Sequence, residues 1–159
     1  MNGPLSPSAQ RVQDALAAAG LASRIVEYDV PARTSAEAAA VLGCTVAQIA
    51  KSLVFRAASG APVLVIASGA SRVDEAKVAA TVGEGIGKAD AAFVRDVTGY
   101  AIGGIPPLAH ARRLRTLVDR NLLQHETVYA AGGTPHAMFP IAPADLVRVS
   151  GGALADTAP

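Results

Sequence analysis

A lysine stands at the head of an apolar run, Lys51-Ser52-Leu53-Val54-Phe55, directly after Gln48-Ile49-Ala50. An ammonium among apolar neighbours has two uses. It can carry its charge out to water on a long stem, or it can sit at a pocket mouth and hold a phosphate or a developing oxyanion. A second segment, Thr98 to His110 (TGYAIGGIPPLAH), has neither helical nor strand periodicity. Gly103 and Gly104 leave their backbone N–H groups approachable, and Pro106 and Pro107 stiffen the remainder of the loop. Such a loop suits an ester carbonyl or a phosphate; the same composition also makes a plain surface turn. It lacks the Lys-Ser/Thr ending of a P-loop and contains no G-x-G-x-x-G. A second glycine pair, Gly132-Gly133 in AAGGTPH, makes either a hairpin turn or the opposite wall of a cleft.

Other chemistries find little support. His110, His125 and His136 are not at metal-ligand spacing, so no metal or organic cofactor is expected. The single cysteine, Cys44, excludes an internal disulfide and is expected to be a buried packing residue. Ser52, Ser68 and Ser71 have no nucleophile-elbow context. Arg112, Arg113 and Arg115 beside His110 form a small basic cluster, either a phosphate contact or a solvated face. With 14 basic and 13 acidic residues, the chain lacks the basic excess of a protein that wraps duplex DNA. Any nucleic-acid contact should be local, such as a strand end entering a pocket. No secretory signal and no uninterrupted apolar span is visible, so the expected location is the cytoplasm, away from membranes.

The elements that must position these residues can be read from periodicity and caps. A length of 159 residues predicts one domain, 1–159, with a core over about 8–152 and flexible tails. Val12, Leu16 and Ala19 share a helical stripe that Gly20 ends. SRIVEYDV reads as a strand. Thr34 and Glu37 have capping-box spacing, and Gly43 closes that helix. TVAQIA is a short helical turn leading into the strand that begins at Lys51. AASGAP turns the chain into VLVIAS, giving an antiparallel hairpin. Asp74 caps the helix DEAKVAATVG, and AAFVRDV forms a second short helix. TLVDR, ETVYAA and HAMFPIA read as strands, and APADLVRVSGG as a short helix or turn before a disordered tail. Short strands interleaved with short helices predict an α/β (α+β) domain.

In this order, TSAEAA, IAKSLVF, a hairpin, TGYAIGGIPPLAH, VDRNLL and VYAAGG resemble the YbaK and prolyl-tRNA editing family over roughly residues 10 to 152. The resemblance implies a mixed, mostly antiparallel, barrel-like sheet with surrounding helices. It implies hydrolysis of the ester of a mischarged aminoacyl-tRNA, most often proline tRNA, without a cofactor. Its partners would be the aminoacyl-tRNA acceptor end and a prolyl-tRNA synthetase. Lys51 matches the family lysine; Gly103, Gly104 and Pro106 match the loop facing the aminoacyl end. Ser52, Ile105, Tyr28, Gly132, Gly133 and His136 are counted with them as substrate-binding candidates. Members acting on cysteinyl-tRNA tend to carry Thr after the lysine and alanine-directed ones Asn, where Ser52 stands here. Pro106-Pro107-Leu108-Ala109 replaces the frequent Ser-Pro-hydrophobic-Gly. Ala131 and Met138 occupy the places of a Ser and an Asp in the cysteine type. The pattern is closer to proteins that clear small apolar or hydroxylated amino acids. A non-catalytic module that binds an aminoacyl end or a synthetase is the alternative.

Overall fold

The computed structural model describes residues 3–159. Of the expected loose N-terminal tail, residues 1–7, Met1 and Asn2 lie outside them, while Ser6 is held by the Glu27 carboxylate through its N–H at 2.7 Å and its hydroxyl at 2.9 Å and caps the helix that Pro7 begins. In chain order the elements are α1 (Pro7–Ala18), β1 (Val26–Glu27), α2 (Ser35–Leu42), β2 (Ile49–Ala57), β3 (Pro62–Ser68), α3 (Glu75–Val82), β4 (Ile86–Lys88), α4 (Ala91–Thr98), β5 (Arg115–Asp119), β6 (Val128–Ala131), β7 (Ala137–Ile141), α5 (Pro143–Ser150) and β8 (Ala153–Ala155). Local chemistry explains most boundaries. Ser6 caps α1, Asp74 accepts from Ala76 and Lys77 at the start of α3, and Asp90 accepts from Phe93 at the start of α4. The Thr34–Glu37 capping box opens α2, and Gly43 ends it with φ +71°.

The eight strands form one mixed sheet ordered β1-β7-β6-β2-β3-β5-β8, with β4 also paired to β2. The expected β2–β3 hairpin is present, and β5 lies parallel to β3. Alternation on β3 divides the core between two faces. Leu64 and Ile66 pack with Val12, Leu16, Val94, Tyr100, Ile105 and Leu146. Val63, Val65 and Ala67 pack with Phe55, Val78 and Leu117. A third cluster joins Ala38 and Ala39 of α2 to Ile49 and Met138.

Four further expectations need correction. The strand over residues 23–30 shrinks to Val26–Glu27, because β1 pairs only with Met138 and Ala137 of β7. The Lys51 strand begins at Ile49, because β6 already pairs with Ile49 and Ala50. Cys44 is half-buried, not buried: its backbone N–H bonds Ala39 at the end of α2, which leaves the thiol at the edge of the third cluster. Its burial still raises the thiol pKa. The tail after Gly152 is ordered. It adds β8 to β5, the Thr157 carbonyl accepts the Asp74 N–H at 2.7 Å, and Lys77 Nζ bonds Asp156 at 2.9 Å and the Ala158 carbonyl at 2.6 Å. β4 had no sequence expectation; three residues containing Gly87 give too little periodicity to read.

Candidate active site

The site forms where β2 is left without a neighbour. On one edge, β2 pairs with β3 throughout, from Ala50 to Arg56. On the other edge, β6 takes Ile49 and Ala50, and β4 takes Phe55 to Ala57. Lys51 to Val54 have no strand partner there, and all four are half-buried where the flanking residues Ala50 and Phe55 are buried. A cavity of about 310 Å³ opens over this gap. Its walls are Lys51, Ser52 and Leu53 from β2, Arg33 to Ser35 from the start of α2, and Ile102, Gly103 and Ile105 from the glycine loop, with Ala131 and Met138 behind. A second chamber of about 260 Å³ continues along the strand past Val54 and Phe55. It shares Ser52, Leu53, Ile102 and Ile105 with the first and reaches Lys88 and Glu75.

Lys51 and Ser52 are neighbours on a strand, so their side chains leave opposite faces of the sheet. Both reach the cavity because the sheet is open at this point. The Lys51 ammonium takes part in none of the ion pairs among the described residues, which are Lys77–Asp156, Arg112–Asp96 and Arg148–Asp145. Burial pushes its pKa below the ordinary lysine value. The Ser52 hydroxyl oxygen is buried without a hydrogen-bond partner. Arg33 adds a second, exposed cation at the rim, and among the described residues no carboxylate lines this chamber. An anion entering here would meet positive charge in a chain whose net charge is only +1.

The glycine loop is held at both ends. Thr98 Oγ1 lies 2.7 Å from the Val94 carbonyl and accepts the Tyr100 N–H at 3.0 Å. The Tyr100 hydroxyl donates to the Ala109 carbonyl at 2.9 Å, and Ala109 itself has φ +67°. His110 Nε2 donates to the Pro106 carbonyl at 2.6 Å, so that nitrogen carries the proton. Burial lowers the His110 pKa and favours this neutral form.

The two glycines divide the work. Gly103 is exposed, has φ +94° and lines the cavity. Gly104 does not line it: its N–H already donates to the Ala101 carbonyl at 3.0 Å, so it is not a free donor for substrate. A Cβ on Gly104 would lie 2.6 Å from Thr134 Cα, which makes this glycine a contact point between loops.

Several expected binding residues also lie behind the wall. Pro106 is buried and serves as the His110 acceptor. Tyr28 and His136 clamp β1 to β7: the Tyr28 N–H bonds the His136 carbonyl at 2.8 Å, and His136 Nδ1 bonds the Tyr28 carbonyl at 2.9 Å. Gly132 packs on Ile25 and Ala137, and Gly133 on the Ser8 carbonyl. The second glycine pair therefore supports α1 and β1 instead of forming the opposite wall of the cleft. Ile105 lines the cavity, yet it is 4% exposed and belongs to the core. Among the described residues no group of three or more His, Cys, Asp or Glu could hold a metal ion, and no helix is long and apolar enough to cross a membrane.

Comparison with known proteins decides the family. The family described as "Aminoacyl-tRNA editing domain" matches residues 29–149. The chain belongs to the aminoacyl-tRNA editing domain family. The match spans every residue lining the two chambers. Uncharacterized protein YwhH of Bacillus subtilis (strain 168) is 29% identical over 126 residues, covering 79% of this chain and 80% of its own. Among solved structures, one described as "a putative trans-editing enzyme for prolyl tRNA synthetase" is 42% identical, with a TM-score of 0.92 over 98% of this chain and 99% of its own. Hypothetical protein APE2540 is 34% identical, with a TM-score of 0.87 over 94% of this chain and 99% of its own.

Within this editing domain, sequence reasoning missed Arg33, Ser35 and Ile102. Arg33 was legible as the residue preceding the Thr34 cap, and its N–H bonds the same Glu37 carboxylate at 3.0 Å. Ile102 adjoins Gly103 and is 56% exposed, a large apolar side chain at the mouth shared by both chambers.

Proposed function

We propose that this editing domain is a trans-acting deacylase that hydrolyses the ester of a mischarged aminoacyl-tRNA. Its preferred substrate is tRNA(Pro) carrying alanine or aminobutyrate. The observation that carries this reading is the Lys51 ammonium, free of ion pairs in a largely apolar cavity beside Gly103. Lys51 and Arg33 attract the acceptor end electrostatically. The exposed Gly103 amide and the Lys51 charge stabilise the oxyanion that forms on the acyl carbonyl.

Water adds to the acyl carbon, the bond from that carbon to the ribose oxygen breaks, and the proton from water ends on the ribose oxygen. The products are the free amino acid and intact tRNA. Among the described residues, no carboxylate or imidazole lines the Lys51 chamber. The neighbouring ribose hydroxyl of the substrate therefore orients the water, and positioning supplies much of the acceleration. A prolyl-tRNA synthetase is the natural partner, because it releases the mischarged product.

A panel of mischarged tRNAs tests the reading. Multiple turnover on alanyl-tRNA(Pro), with prolyl-tRNA(Pro) a poor substrate, is the expected result. Lys51→Ala should lower kcat/KM by about 10²–10³ with an unchanged melting curve. Stoichiometric protection of the ester without turnover would instead identify a binding module for aminoacyl ends.

A further inference from the structure

We propose that the open edge of β2 recognises the main chain of the aminoacyl group, as one residue of an added strand. The Ser52 carbonyl would accept from the α-amino group, and the Val54 N–H would donate to the ester carbonyl. This rests on the deacylase reading and specifies how that site holds its substrate: any L-α-aminoacyl ester whose side chain fits.

The direction of the backbone groups on β2 is set by its bonds to the hairpin. The Ile49 carbonyl accepts from Gly69, and the Ala57 N–H donates to Ala61, both on the β3 side. Alternation along a strand then turns the N–H and C=O of Ser52 and Val54 to the opposite edge. That is the edge where pairing with β6 stops at Ala50 and pairing with β4 starts at Phe55. No hydrogen bond to the Ser52 N–H, the Ser52 carbonyl or the Val54 N–H occurs outside the strand ladders among the described residues. These main-chain groups face the two chambers, where Ser52 and Leu53 line both.

The lane beside them belongs to β6 until Ala131. β6 runs parallel to β2, with Ala130 opposite Ala50. It then leaves, because the Gly132 N–H bonds the Ala137 carbonyl at 2.7 Å and Gly133 packs on Ser8. In a parallel ladder, one residue donates its N–H to the carbonyl of residue i and accepts at its own carbonyl from the N–H of i+2. Ser52 C=O and Val54 N–H are such a pair, placed in the vacated lane. An aminoacyl ester carries the same donor and acceptor at the same spacing. The Val54 N–H would bond the acyl oxygen as it gains charge, the donor role first expected of Gly104.

Two measurements test this on the full chain. The first compares alanyl-tRNA(Pro) with propionyl-tRNA(Pro), which keeps the methyl group and lacks the α-amino group; each rate is divided by the spontaneous hydrolysis rate of the same ester. We expect the propionyl ester to lose roughly 10-fold or more in corrected kcat/KM, the scale of one lost charge-assisted hydrogen bond. The second replaces Val54 by its α-hydroxy analogue, which removes one N–H and keeps the side chain. A loss of about 10²–10³ in kcat with a preserved melting curve is expected. Equal corrected rates for both esters, or a normal kcat in a folded backbone-ester variant, overturn the edge proposal while leaving the deacylase reading intact. No turnover of any mischarged tRNA by the native protein removes both.

Discussion

Replacing Gly104 by alanine should damage the site through a contact that touches no substrate. The added Cβ would lie 2.6 Å from Thr134 Cα, 2.7 Å from its carbonyl carbon and 2.9 Å from its nitrogen. All three are backbone atoms, so no side chain can swing away. Ordinary contact begins near 3.4 Å, so the two loops must part by about 0.8 Å. Forced repacking of this kind costs about 1–3 kcal/mol. For a chain of this size, a cost of about 2 kcal/mol corresponds to a fall in Tm of roughly 4–8 °C. The same displacement carries Gly103 away from the cavity, and a misplacement of about 1 Å can cost roughly 10²-fold in rate. The assay pairs thermal denaturation with kcat/KM on alanyl-tRNA(Pro), using Gly20→Ala as a comparison. Gly20, unlike Gly104, has positive φ (+81°), and nothing lies within 4 Å of its Cβ position, so that variant carries backbone strain without the clash and Gly104→Ala the clash without the strain. Native Tm and native kcat/KM in Gly104→Ala would refute the claim that this glycine sets the loop spacing.

Three further outcomes are expected. Ile105→Ala should destabilise the fold by about 2–5 kcal/mol, whereas Ile102→Ala should stay within about 0.5 kcal/mol and raise KM; urea titration with steady-state kinetics separates them. Burial holds the His110 pKa below its ordinary value, so the unfolded chain takes up the proton first. Stability should be full above the ordinary histidine range and fall as pH drops through it towards the folded value. Tm measured from about pH 8 to pH 5 should fall more for the native protein than for His110→Gln. Deleting residues 153–159 removes the β5–β8 pairing and the Lys77 and Asp74 contacts, and should lower stability by about 2 kcal/mol or more, read as the urea midpoint.

Local chemistry was the legible part of the sequence. The Thr34–Glu37 box, the Asp74 cap and the β2–β3 hairpin each depend on residues a few positions apart, and all three are present. Lys51 and Gly103 could be singled out because an ammonium beside an apolar run and a glycine pair ahead of two prolines are unusual where they stand. The failures share a different cause. Whether Gly104 lines the cavity or packs against another loop, and whether Ile105 faces substrate or core, depends on segments brought together from Thr134 and Tyr100. The ordered tail had no periodic signal, because three residues of β8 take their stability from β5. The cavity itself is a missing strand partner, and no residue type encodes an absence.

The four-residue opening in β2 also bears on solubility. An unpaired strand edge normally invites another chain to add to it. Here β6 and β4 stand as stops at either end of residues 51–54, a length of about 13 Å at the usual rise per residue. A strand from another copy would collide with one stop or the other before gaining more than a few hydrogen bonds. The same fold thus keeps backbone groups available to a small molecule and closes them to aggregation.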